Sequence, residues 1–470
     1  MIDAIFREYD IRGKVGSELD VAQVYDLTRA IAYYFVEHNP SVRTIVVGMD
    51  GRTHSPHIKD EVLRGLTDSG LDVLFVGLCP SPALYFALYN CDVEAGLMIT
   101  ASHNPKEDNG LKICLGRDSV WGTQVREIRD LYKEKKRINA DHVGIVQEQP
   151  IISAYIEWLV SHFPRLKGMQ LPVIIDCGNG AAGAVIPDLV RALEWPHARL
   201  LYCEVDGTYP NHEADPVKEE NMLEVRRLLK ETDAQVGIGL DGDADRMAAM
   251  TKKGFLVPGD QLLALFSKQI LEKNPGSAIV FDIKSSSGLS ELITKWGGKP
   301  YMSPSGHAIV KDHMRQYNAQ LGGELSCHFF FYDDYFGYDD GIYAMLRLLS
   351  LLQDSHEALD ELLRVFPTKY SSSEIRITCP DDKKHAVVEA VREHFKKRPD
   401  VTLVTIDGAR VSTNYGWGIV RVSNTQPALS MRFEADSPEG LIEIKKEFLA
   451  ALAPYFDMTI LKKELGLSGS

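Results

Sequence analysis

The feature that most constrains the fold is a pattern that recurs three times along the chain. A short apolar, β-branched run ends at an aspartate, a polar or glycine-rich loop follows, and a helical pattern comes next. The three aspartates are Asp50, Asp176 and Asp282, at separations of roughly 126 and 106 residues, and self-similarity of this kind indicates repeated domains. Strands that alternate with helices are typical of mixed or parallel α/β sheets, whose loops beyond the strand ends carry ligands. The pattern predicts three topologically similar mixed-sheet α/β domains in tandem.

A different pattern begins after residue 367 and runs to the end of the chain. An alternating strand and an amphipathic helix are followed by a strand–turn–strand, a further strand and a closing helix that Ser437 and Pro438 open. This order predicts a compact C-terminal α+β domain. At about 100–200 residues per domain, a chain of 470 residues accommodates three or four domains, and the motifs favour four. Their expected bounds are 1–150, 151–255, 256–367 and 368–470.

Composition excludes several classes of protein. The formal net charge of −14 argues against a general nucleic-acid binder, because phosphate contacts need a basic face. No apolar run approaches the ~18 residues that cross a bilayer, and the chain begins without the basic and apolar segments of a secretory signal. The seven cysteines are scattered without a CxxC pair, which indicates reduced thiols rather than disulfides or structural zinc. We therefore expect no membrane span and a cytoplasmic location.

The same acidic charge, taken alone, disfavours an anionic substrate, because a negative field repels one. Net charge acts at long range, however, and it is largely screened beyond about 8 Å in physiological salt. An acidic exterior is therefore compatible with a cleft that is locally positive.

The first candidate site is the loop in GLMITASHNPKEDNGLKI (96–113), where an apolar strand leads to Ser102 and a second strand resumes at Lys112. Asn-Pro and Asn-Gly pairs favour turns, so an ordinary turn is one interpretation and a functional Ser102 is the other. The GxSxG nucleophile elbow is absent. We expect His103, adjacent in sequence, to be poorly placed as a base for Ser102. An ordinary serine hydrolase is therefore disfavoured.

The second candidate is QVGIGLDGDADRM (235–247), in which Asp241, Asp243 and Asp245 alternate after a strand. In an extended loop this spacing would point three carboxylates the same way. Converging carboxylates repel one another, so a hard divalent cation is their natural partner, and so few protein ligands favour Mg²⁺ shared with a phosphate. Arg246 and Lys252 occupy the positions where an EF-hand needs Gly and Glu, which excludes that motif. A solvated acidic turn is the other interpretation.

Two further loops carry polar side chains. In LGGELSCHFFF (321–331), Glu324 and Ser326 stand two apart, which in an extended segment suits paired sugar hydroxyls, although the aromatic run indicates core packing. In RVSNTQP (421–427), a guanidinium, hydroxyls and turn amides come together in a loop that can hold a phosphate or simply end a hairpin. The polar residues of this second loop are Arg421, Ser423, Asn424 and Thr425.

Five sequence blocks taken together resemble the α-D-phosphohexomutase superfamily: FREYDIRG, TASHNP, DGDADR, GELS and RVSNTQP. They occur in that family's order and cover nearly the whole chain. The chain is most similar to the bacterial phosphomannomutase/phosphoglucomutase enzymes, whose sugar loop typically reads GEMS. Here Leu325 replaces that methionine, and Cys327 stands where a glycine commonly precedes the histidine.

The resemblance implies four domains around a central cleft, the last of them mobile. It implies that Ser102 is the phosphorylated serine, and that one Mg²⁺ is held by an oxygen of that phosphoserine together with Asp241, Asp243 and Asp245. Catalytic roles are implied for Arg12, Lys112, Arg246 and His328. Glu324 and Ser326 are implied to bind sugar hydroxyls 3 and 4. The implied phosphate loop consists of Arg421, Ser423, Asn424 and Thr425. Further substrate contacts in the cleft are implied for Tyr9, Lys284 and His307. A surface cation or a packed histidine is the other interpretation for the charged positions.

The implied reaction is reversible phosphoryl transfer between hexose 1-phosphate and hexose 6-phosphate, of mannose, glucose or both. It would proceed through a phosphoserine and a hexose 1,6-bisphosphate, and the bisphosphate also serves as activator. The expected partners are small sugar phosphates, and the expected oligomeric state is a monomer or weak dimer. The identity of the general base is left open: the candidates are His328 and a residue in the neighbourhood of Arg12 and Lys112. Two alternatives remain: an aspartyl-nucleophile phosphatase, which a strand followed by DxDxD also fits, and a sugar-phosphate sensor without activity.

Overall fold

The computed structural model describes residues 1–423 and 427–467. Its strands form four sheets in chain order, each packed with helices, and we call each sheet with its helices a unit, numbered 1 to 4. Asn424 and Thr425, two of the expected phosphate-binding residues, lie outside the described residues.

Unit 1 has a seven-stranded sheet and four α-helices. Its elements in chain order are β1 (Ile11–Lys14), α1 (Val24–His38), β2 (Thr44–Met49), α2 (Ser55–Thr67), β3 (Asp72–Leu78), α3 (Ser81–Asn90), β4 (Ala95–Ile99), β5 (Asp108–Leu115), β6 (Asp118–Ser119), α4 (Thr123–Lys133) and β7 (Val146–Glu148). The strand order is β1-β5-β4-β2-β3-β7, and β6 pairs with β5.

Units 2 and 3 follow with sheets of five and four strands. Unit 2 comprises α5 (Ile152–His162), β8 (Val173–Asp176), α6 (Ile186–Ala192), β9 (Ala198–Leu201), α7 (Leu223–Glu231), β10 (Val236–Leu240), β11 (Met247–Thr251) and β12 (Leu256–Val257). Unit 3 comprises α8 (Gly259–Lys273), β13 (Ala278–Asp282), α9 (Ser287–Lys295), β14 (Lys299–Ser303), α10 (His307–Tyr317), β15 (Leu321–Gly323), β16 (Phe329–Phe331), α11 (Gly341–Ser355) and α12 (Leu359–Leu362). Because β12 pairs with β11, the second sheet extends to Val257, past the expected bound at 255.

The first three sheets contain the same four-strand arrangement. In unit 1, β2 pairs in parallel with β3 and β4, and β4 pairs antiparallel with β5. In unit 2 the corresponding strands are β8, β9, β10 and β11, and in unit 3 they are β13, β14, β15 and β16. The first strand of each set ends at or just before one of the three recurring aspartates. The prediction of three topologically similar mixed-sheet domains is confirmed.

Unit 4 has an antiparallel six-stranded sheet in the order β17-β22-β21-β20-β19, with β18 beside β22. Its elements are β17 (Tyr370–Ser371), β18 (Ile375–Thr378), α13 (Asp381–Lys396), β19 (Thr402–Val404), β20 (Ala409–Ser412), β21 (Gly416–Val422), β22 (Ala428–Ala435), α14 (Pro438–Leu452) and α15 (Met458–Glu464). The Ser437 hydroxyl accepts a hydrogen bond from the Gly440 amide and caps α14, as the Ser-Pro pair predicts. The predicted C-terminal α+β domain is confirmed.

The apolar cores differ between the units. Helix α3 is apolar on nearly every side, and it packs into a core that continues through units 2 and 3. Phe86, Ile238 and Phe266 are members of this core from the three successive units. Unit 4 packs around a core of its own, and a small cluster of Ile283, Trp417 and Ile419 joins it to unit 3.

Two expectations from composition concern the membrane and the thiols. Among residues 1–423 and 427–467, none of the helices has both the length and the apolar character that a bilayer crossing demands. All seven cysteines carry free thiols.

Candidate active site

Three equivalent loops of units 1 to 3 meet at one place. Ser102 follows β4, Asp241 follows β10 and Glu324 follows β15, and each of these strands holds the same position in its sheet. Ligand sites in α/β sheets form beyond the carboxyl ends of parallel strands. The repeated topology therefore brings the serine loop (residues 100–108), the aspartate loop (241–246) and the sugar loop (324–328) together.

Ser102 is held in an uncommon backbone conformation. Its φ is +51°, in the left-handed region that non-glycine residues seldom occupy, and its amide donates to Thr100 Oγ1 at 2.8 Å. The side chain is buried, and its hydroxyl donates to Asp241 Oδ2 at 2.9 Å. This hydroxyl of unit 1 thus points into the carboxylates of unit 2.

The aspartate loop is a turn. The extended conformation that the alternating aspartates predict is therefore not observed, and that prediction is wrong. The Ala244 amide donates to the Asp241 carbonyl at 3.0 Å, and Ala244 has a φ of +58°. The carboxylates converge all the same, with one oxygen each of Asp241, Asp243 and Asp245 lying within 4.8 Å of the others. All three residues are at most 1% exposed, which excludes a solvated acidic turn.

Lys112 and Arg246 pair with the three carboxylates. Lys112 reaches across from β5 of unit 1 and donates to Asp243 Oδ2 at 2.6 Å and to Asp245. Arg246 donates through Nε to Asp241 Oδ2 at 3.0 Å. Burial acts to lower the pKa of Lys112, but the carboxylates outweigh it and raise that pKa well above its usual value. Burial, with the negative charge of Asp245, raises the pKa of Asp241 to about 7.

The aspartate loop fits a hard divalent cation. Three carboxylate oxygens lie within 4.8 Å of one another, and oxygen is the ligand that Mg²⁺ and Ca²⁺ prefer. Asp243 Oδ1 is buried and accepts no hydrogen bond from the described residues, so it is open to a further positive partner.

The sugar loop is also a turn rather than the predicted extended segment. The Cys327 amide donates to the Glu324 carbonyl at 3.0 Å, and Cys327 has a φ of +68°. His328 Nδ1 lies 3.1 Å from Glu324 Oε2 and 3.2 Å from Ser326 Oγ, and its Nε2 lies 3.4 Å from Asp245 Oδ1. Burial acts to lower the pKa of His328, but Asp245 and Glu324 outweigh it and raise that pKa to about 10. In this arrangement His328 is a cation between two carboxylates.

Tyr9, His307 and Arg421 lie where units 1, 3 and 4 meet. The Tyr9 hydroxyl donates to the Ser305 carbonyl, and the Tyr9 and His307 rings are 6.0 Å apart. The Ser305 amide in turn donates to Asp407 Oδ2 at 3.1 Å, and Arg421 Nε donates to the same oxygen at 2.8 Å. Units 1, 3 and 4 are thereby connected by hydrogen bonds.

Three more predicted cations and hydroxyls have identifiable neighbours. Arg12 Nη1 donates to Asn104 Oδ1 in the serine loop at 2.9 Å. Lys284 Nζ lies 3.8 Å from Asp282 Oδ2. The Ser423 amide donates to the Ala428 carbonyl at 2.9 Å, at the beginning of the expected phosphate loop.

Comparison with known proteins identifies the family. Four models match consecutive parts of the chain: phosphoglucomutase/phosphomannomutase alpha/beta/alpha domains I (3–138), II (153–254) and III (258–370), and the C-terminal domain (374–451). The chain belongs to the phosphoglucomutase/phosphomannomutase family. The resemblance carried by the five sequence blocks is confirmed.

Individual relatives match nearly the whole chain. The phosphomannomutase/phosphoglucomutase of Pseudomonas putida is 40% identical over 451 residues, with 96% of each chain covered. The phosphoglucomutase of Neisseria gonorrhoeae is 39% identical, covering 95% of this chain and 96% of its own. Among solved structures, a phosphoglucomutase/phosphomannomutase family protein from Burkholderia thailandensis superposes with a TM-score of 0.89 at 33% identity, covering 97% of this chain and 98% of its own.

One neighbour of Ser102 contradicts the sequence interpretation. His103 was expected to be poorly placed as a base, yet its Nδ1 lies 3.1 Å from Ser102 Oγ. The left-handed turn at Ser102 brings the adjacent ring back to the hydroxyl, and nothing in the sequence marks that φ. Burial, with the positive charges of Arg246 and Arg12, lowers the pKa of His103 well below its usual value. The ring is therefore a neutral hydrogen-bond partner of the serine.

Proposed function

We propose that the chain interconverts hexose 1-phosphates and hexose 6-phosphates of mannose, glucose or both. The observation that carries the proposal is the position of the Ser102 hydroxyl, 2.9 Å from one of three converging carboxylates that also pair with two buried cations. Relatives named phosphomannomutase/phosphoglucomutase, matched over 96% of the chain, support it.

In the proposed reaction Ser102 carries a phosphoryl group and gives it to the free hydroxyl of the bound sugar phosphate. The bond from phosphorus to Ser102 Oγ breaks and a bond to the sugar oxygen forms, while the sugar hydroxyl loses its proton to a base of the site and Ser102 Oγ takes one up, so that a hexose 1,6-bisphosphate and a free serine result. The bisphosphate turns around in the cleft and its other phosphoryl group returns to Ser102. The serine hydroxyl then loses its proton to a base; neutral His103, whose Nδ1 lies 3.1 Å from Oγ, is a candidate beside Asp241, to which that hydroxyl donates.

In phosphoryl transfer the protein mainly positions the reacting groups and compensates negative charge. Asp241, Asp243 and Asp245 would hold one Mg²⁺ together with a phosphoserine oxygen, and the bound cation would neutralise charge that develops on the phosphoryl group. Lys112 and Arg246 would add fixed positive charge on either side of the carboxylates.

Substrate recognition would come from units 3 and 4. Glu324 and Ser326 would bind sugar hydroxyls 3 and 4. These two contacts can form in both orientations of the bisphosphate. They do not involve carbon 2, where glucose and mannose differ. Arg421 and Ser423, with Asn424 and Thr425, would bind the phosphate that is not reacting. Tyr9, Lys284 and His307 would complete the cleft between the units, and Arg12 would steady the serine loop through Asn104.

We further propose that the protein acts in the cytoplasm, which the free thiols of all seven cysteines support. A monomer or weak dimer is expected, since one chain supplies every loop of the proposed site. The proposed domain bounds are 1–150, 151–255, 256–367 and 368–470, with the second sheet reaching Val257, and each domain contains one of these loops.

The test is a coupled assay with mannose 1-phosphate and glucose 1-phosphate, in the presence of Mg²⁺ and a trace of hexose 1,6-bisphosphate. Ser102→Ala should lower turnover by at least ~10³-fold while substrate binding persists, because it removes the phosphoryl carrier. Ser161→Ala, on the exposed face of α5, is the matched control and should behave as wild type. Chelation of divalent cations should also abolish turnover.

Near-normal turnover by Ser102→Ala would refute the assignment. An aspartyl-nucleophile phosphatase would instead lose its protein-bound phosphate on treatment with hydroxylamine, to which a phosphoserine is stable. A sensor would bind hexose phosphates with no interconversion by the wild-type protein.

A further inference from the structure

A buried arginine outside the predicted site holds the backbone of the serine loop. Arg52 lies just beyond the end of β2 and is 1% exposed. Its guanidinium donates four hydrogen bonds, all to backbone carbonyls of the serine loop. The acceptors are Ser102 and Asn104, each at 2.7 Å from Nη2, and Pro105 and Asp108, at 2.7 and 2.9 Å from Nη1.

The charge of Arg52 is compensated on its other side. Asp50 Oδ2 lies 3.3 Å from Arg52 Nε, and both side chains are fully buried. Asp50 Oδ1 accepts from the Arg52 amide at 3.0 Å and from Ser55 Oγ at 2.7 Å. Burying an ion pair is costly unless its geometry and its other hydrogen bonds are satisfied. Asp50 Oδ2 and Arg52 Nε form no hydrogen bond, so the pair is held by the two bonds to Asp50 Oδ1 and by the four carbonyls that both terminal nitrogens of the guanidinium reach.

The Ser102 carbonyl is confined from two directions. Arg52 binds it on one side, and Gly242 of the aspartate loop lies so close on the other that a Cβ there would be 2.4 Å from the oxygen. The ring of Tyr209, also from unit 2, lies 5.3 Å from the Arg52 guanidinium. With its carbonyl fixed, Ser102 keeps the left-handed φ that directs its hydroxyl toward Asp241.

We infer that Arg52 is a positioning residue for phosphoryl transfer: it holds the carbonyls of the serine loop so that Ser102 Oγ faces Asp241. The inference rests on the proposed function for its kinetic consequence. Lysine cannot replace the guanidinium, because an ammonium is a point charge without the planar fork that reaches four carbonyls. A left-handed serine stores backbone strain, which this set of hydrogen bonds would offset.

The experiment compares Arg52→Ala and Arg52→Lys with the same changes at Arg29. Arg29 belongs to the same unit and donates to the Ile138 carbonyl and the Tyr25 hydroxyl, away from the serine loop. We expect both Arg52 variants to lose about 10²-fold in kcat with KM changed by less than about threefold, because a misplaced reacting atom lowers the rate and not ground-state binding. Both Arg29 variants should keep the wild-type kcat.

Two further readouts separate positioning from general stability. Free guanidinium ion, well below its denaturing range, should restore kcat of Arg52→Ala several-fold and leave Arg29→Ala unchanged. Amide hydrogen exchange should become faster in residues 100–108 of the Arg52 variants, with the rest of unit 1 as in wild type.

The outcomes are distinguishable. Folded Arg52 variants with kcat within twofold of wild type and unchanged exchange in the serine loop would overturn the inference. A loss of kcat that only follows the folded fraction, without rescue by guanidinium, would also overturn it, as would failure of both variants to fold. A wild-type protein without mutase activity would refute the proposed function instead, and the exchange comparison would still decide whether Arg52 holds the loop.

Discussion

One apolar core crosses both boundaries between units 1, 2 and 3, beside further cores within these units, whereas unit 4 packs around a core of its own. Phe86, Ile238 and Phe266 belong to the shared core, and Phe395, Phe433 and Phe448 belong to the separate one. Separating units that share a core would expose much apolar surface to water, at roughly 25 cal/mol per Å². Units 1 to 3 therefore behave as one body, which keeps the serine, aspartate and sugar loops in fixed positions relative to one another.

Unit 4 contacts that body mainly through polar groups. Arg410 donates to the Ser285 carbonyl at 2.9 Å, Arg432 donates to the Lys284 carbonyl, and Glu434 accepts from the Ser287 amide at 3.0 Å. Water can replace such bonds when an interface opens, and relative motion is the usual behaviour across polar interfaces within a chain. The comparison predicts one body of units 1 to 3 and a separable unit 4, and the mobility of the fourth domain that the resemblance implies stays a prediction.

The largest expected effect on the free energy of unfolding comes from removing one large aromatic side chain from each core. Phe266 packs against Phe329 and Phe331, with ring centroids 5.1 Å away in both cases, and Phe266→Ala should cost about 3–5 kcal/mol in the unfolding of units 1 to 3. Phe448→Ala, in the other core, should destabilise unit 4 by a similar amount. Scanning calorimetry should show each variant lowering a different transition. A single transition lowered equally by both would mean that unit 4 is part of the same body.

A pH-dependent contribution to stability should arise inside the shared body. Asp340 accepts from the hydroxyls of Tyr155 in unit 2 and Tyr335 in unit 3, at 2.7 and 2.6 Å, and burial raises its pKa from 3.8 to about 6. Between these two values the folded protein binds a proton that the unfolded chain has released, so this contribution falls as the pH rises toward 6 and is constant above it. The change amounts to about 3 kcal/mol.

Asp340→Asn should remove this dependence. Urea unfolding of both proteins from pH 4 to pH 7 measures the difference in free energy, which should grow in favour of the variant up to about pH 6. Parallel curves for the two proteins would show that Asp340 titrates normally in the folded state.

A smaller effect is expected at the interface of unit 4. Glu434 Oε1 accepts from Trp417 Nε1 at 2.8 Å as well as from Ser287, so Glu434→Ala leaves these donors unpaired. Such a loss costs about 1–3 kcal/mol, and it should loosen unit 4 without lowering the transition of units 1 to 3. Hydrogen exchange at residues 283–288 reads out the loosening, and Glu439→Ala, on the exposed first turn of α14, is the control. Equal exchange in the two variants would contradict the idea of a polar, separable interface.

The smallest effect concerns the sugar loop. Cys327 has a φ of +68°, a conformation that glycine adopts without steric cost. Cys327→Gly should therefore be more stable than Cys327→Ala by about 1 kcal/mol, although it removes more side chain. Chemical denaturation of the two variants measures the difference. The reverse order would mean that the lost methyl group outweighs the backbone strain in this loop.

Much of the fold could be predicted from the sequence, because the repeated strands and their terminal aspartates follow from apolar patterning alone. The conformations of the loops could not. Ser102, Ala244 and Cys327 all have positive φ, imposed by tertiary contacts that no local preference signals. His103 was misjudged for that reason. The role of Arg52 could not be predicted, because its partners are backbone carbonyls some fifty residues later in the chain, which side-chain motifs do not reveal.

The equivalent placement of the three active-site loops bears on how such a protein could arise. The serine loop follows β4, the aspartate loop follows β10 and the sugar loop follows β15, so each of units 1 to 3 carries one of the three loops. A protein made of one such unit could assemble this cleft only as a trimer, and every copy would then contribute the same loop. Fusion of three copies into one chain removes that restriction, since each loop can change without altering the other two. Division of chemical labour among the loops is thus a consequence of joining the repeats.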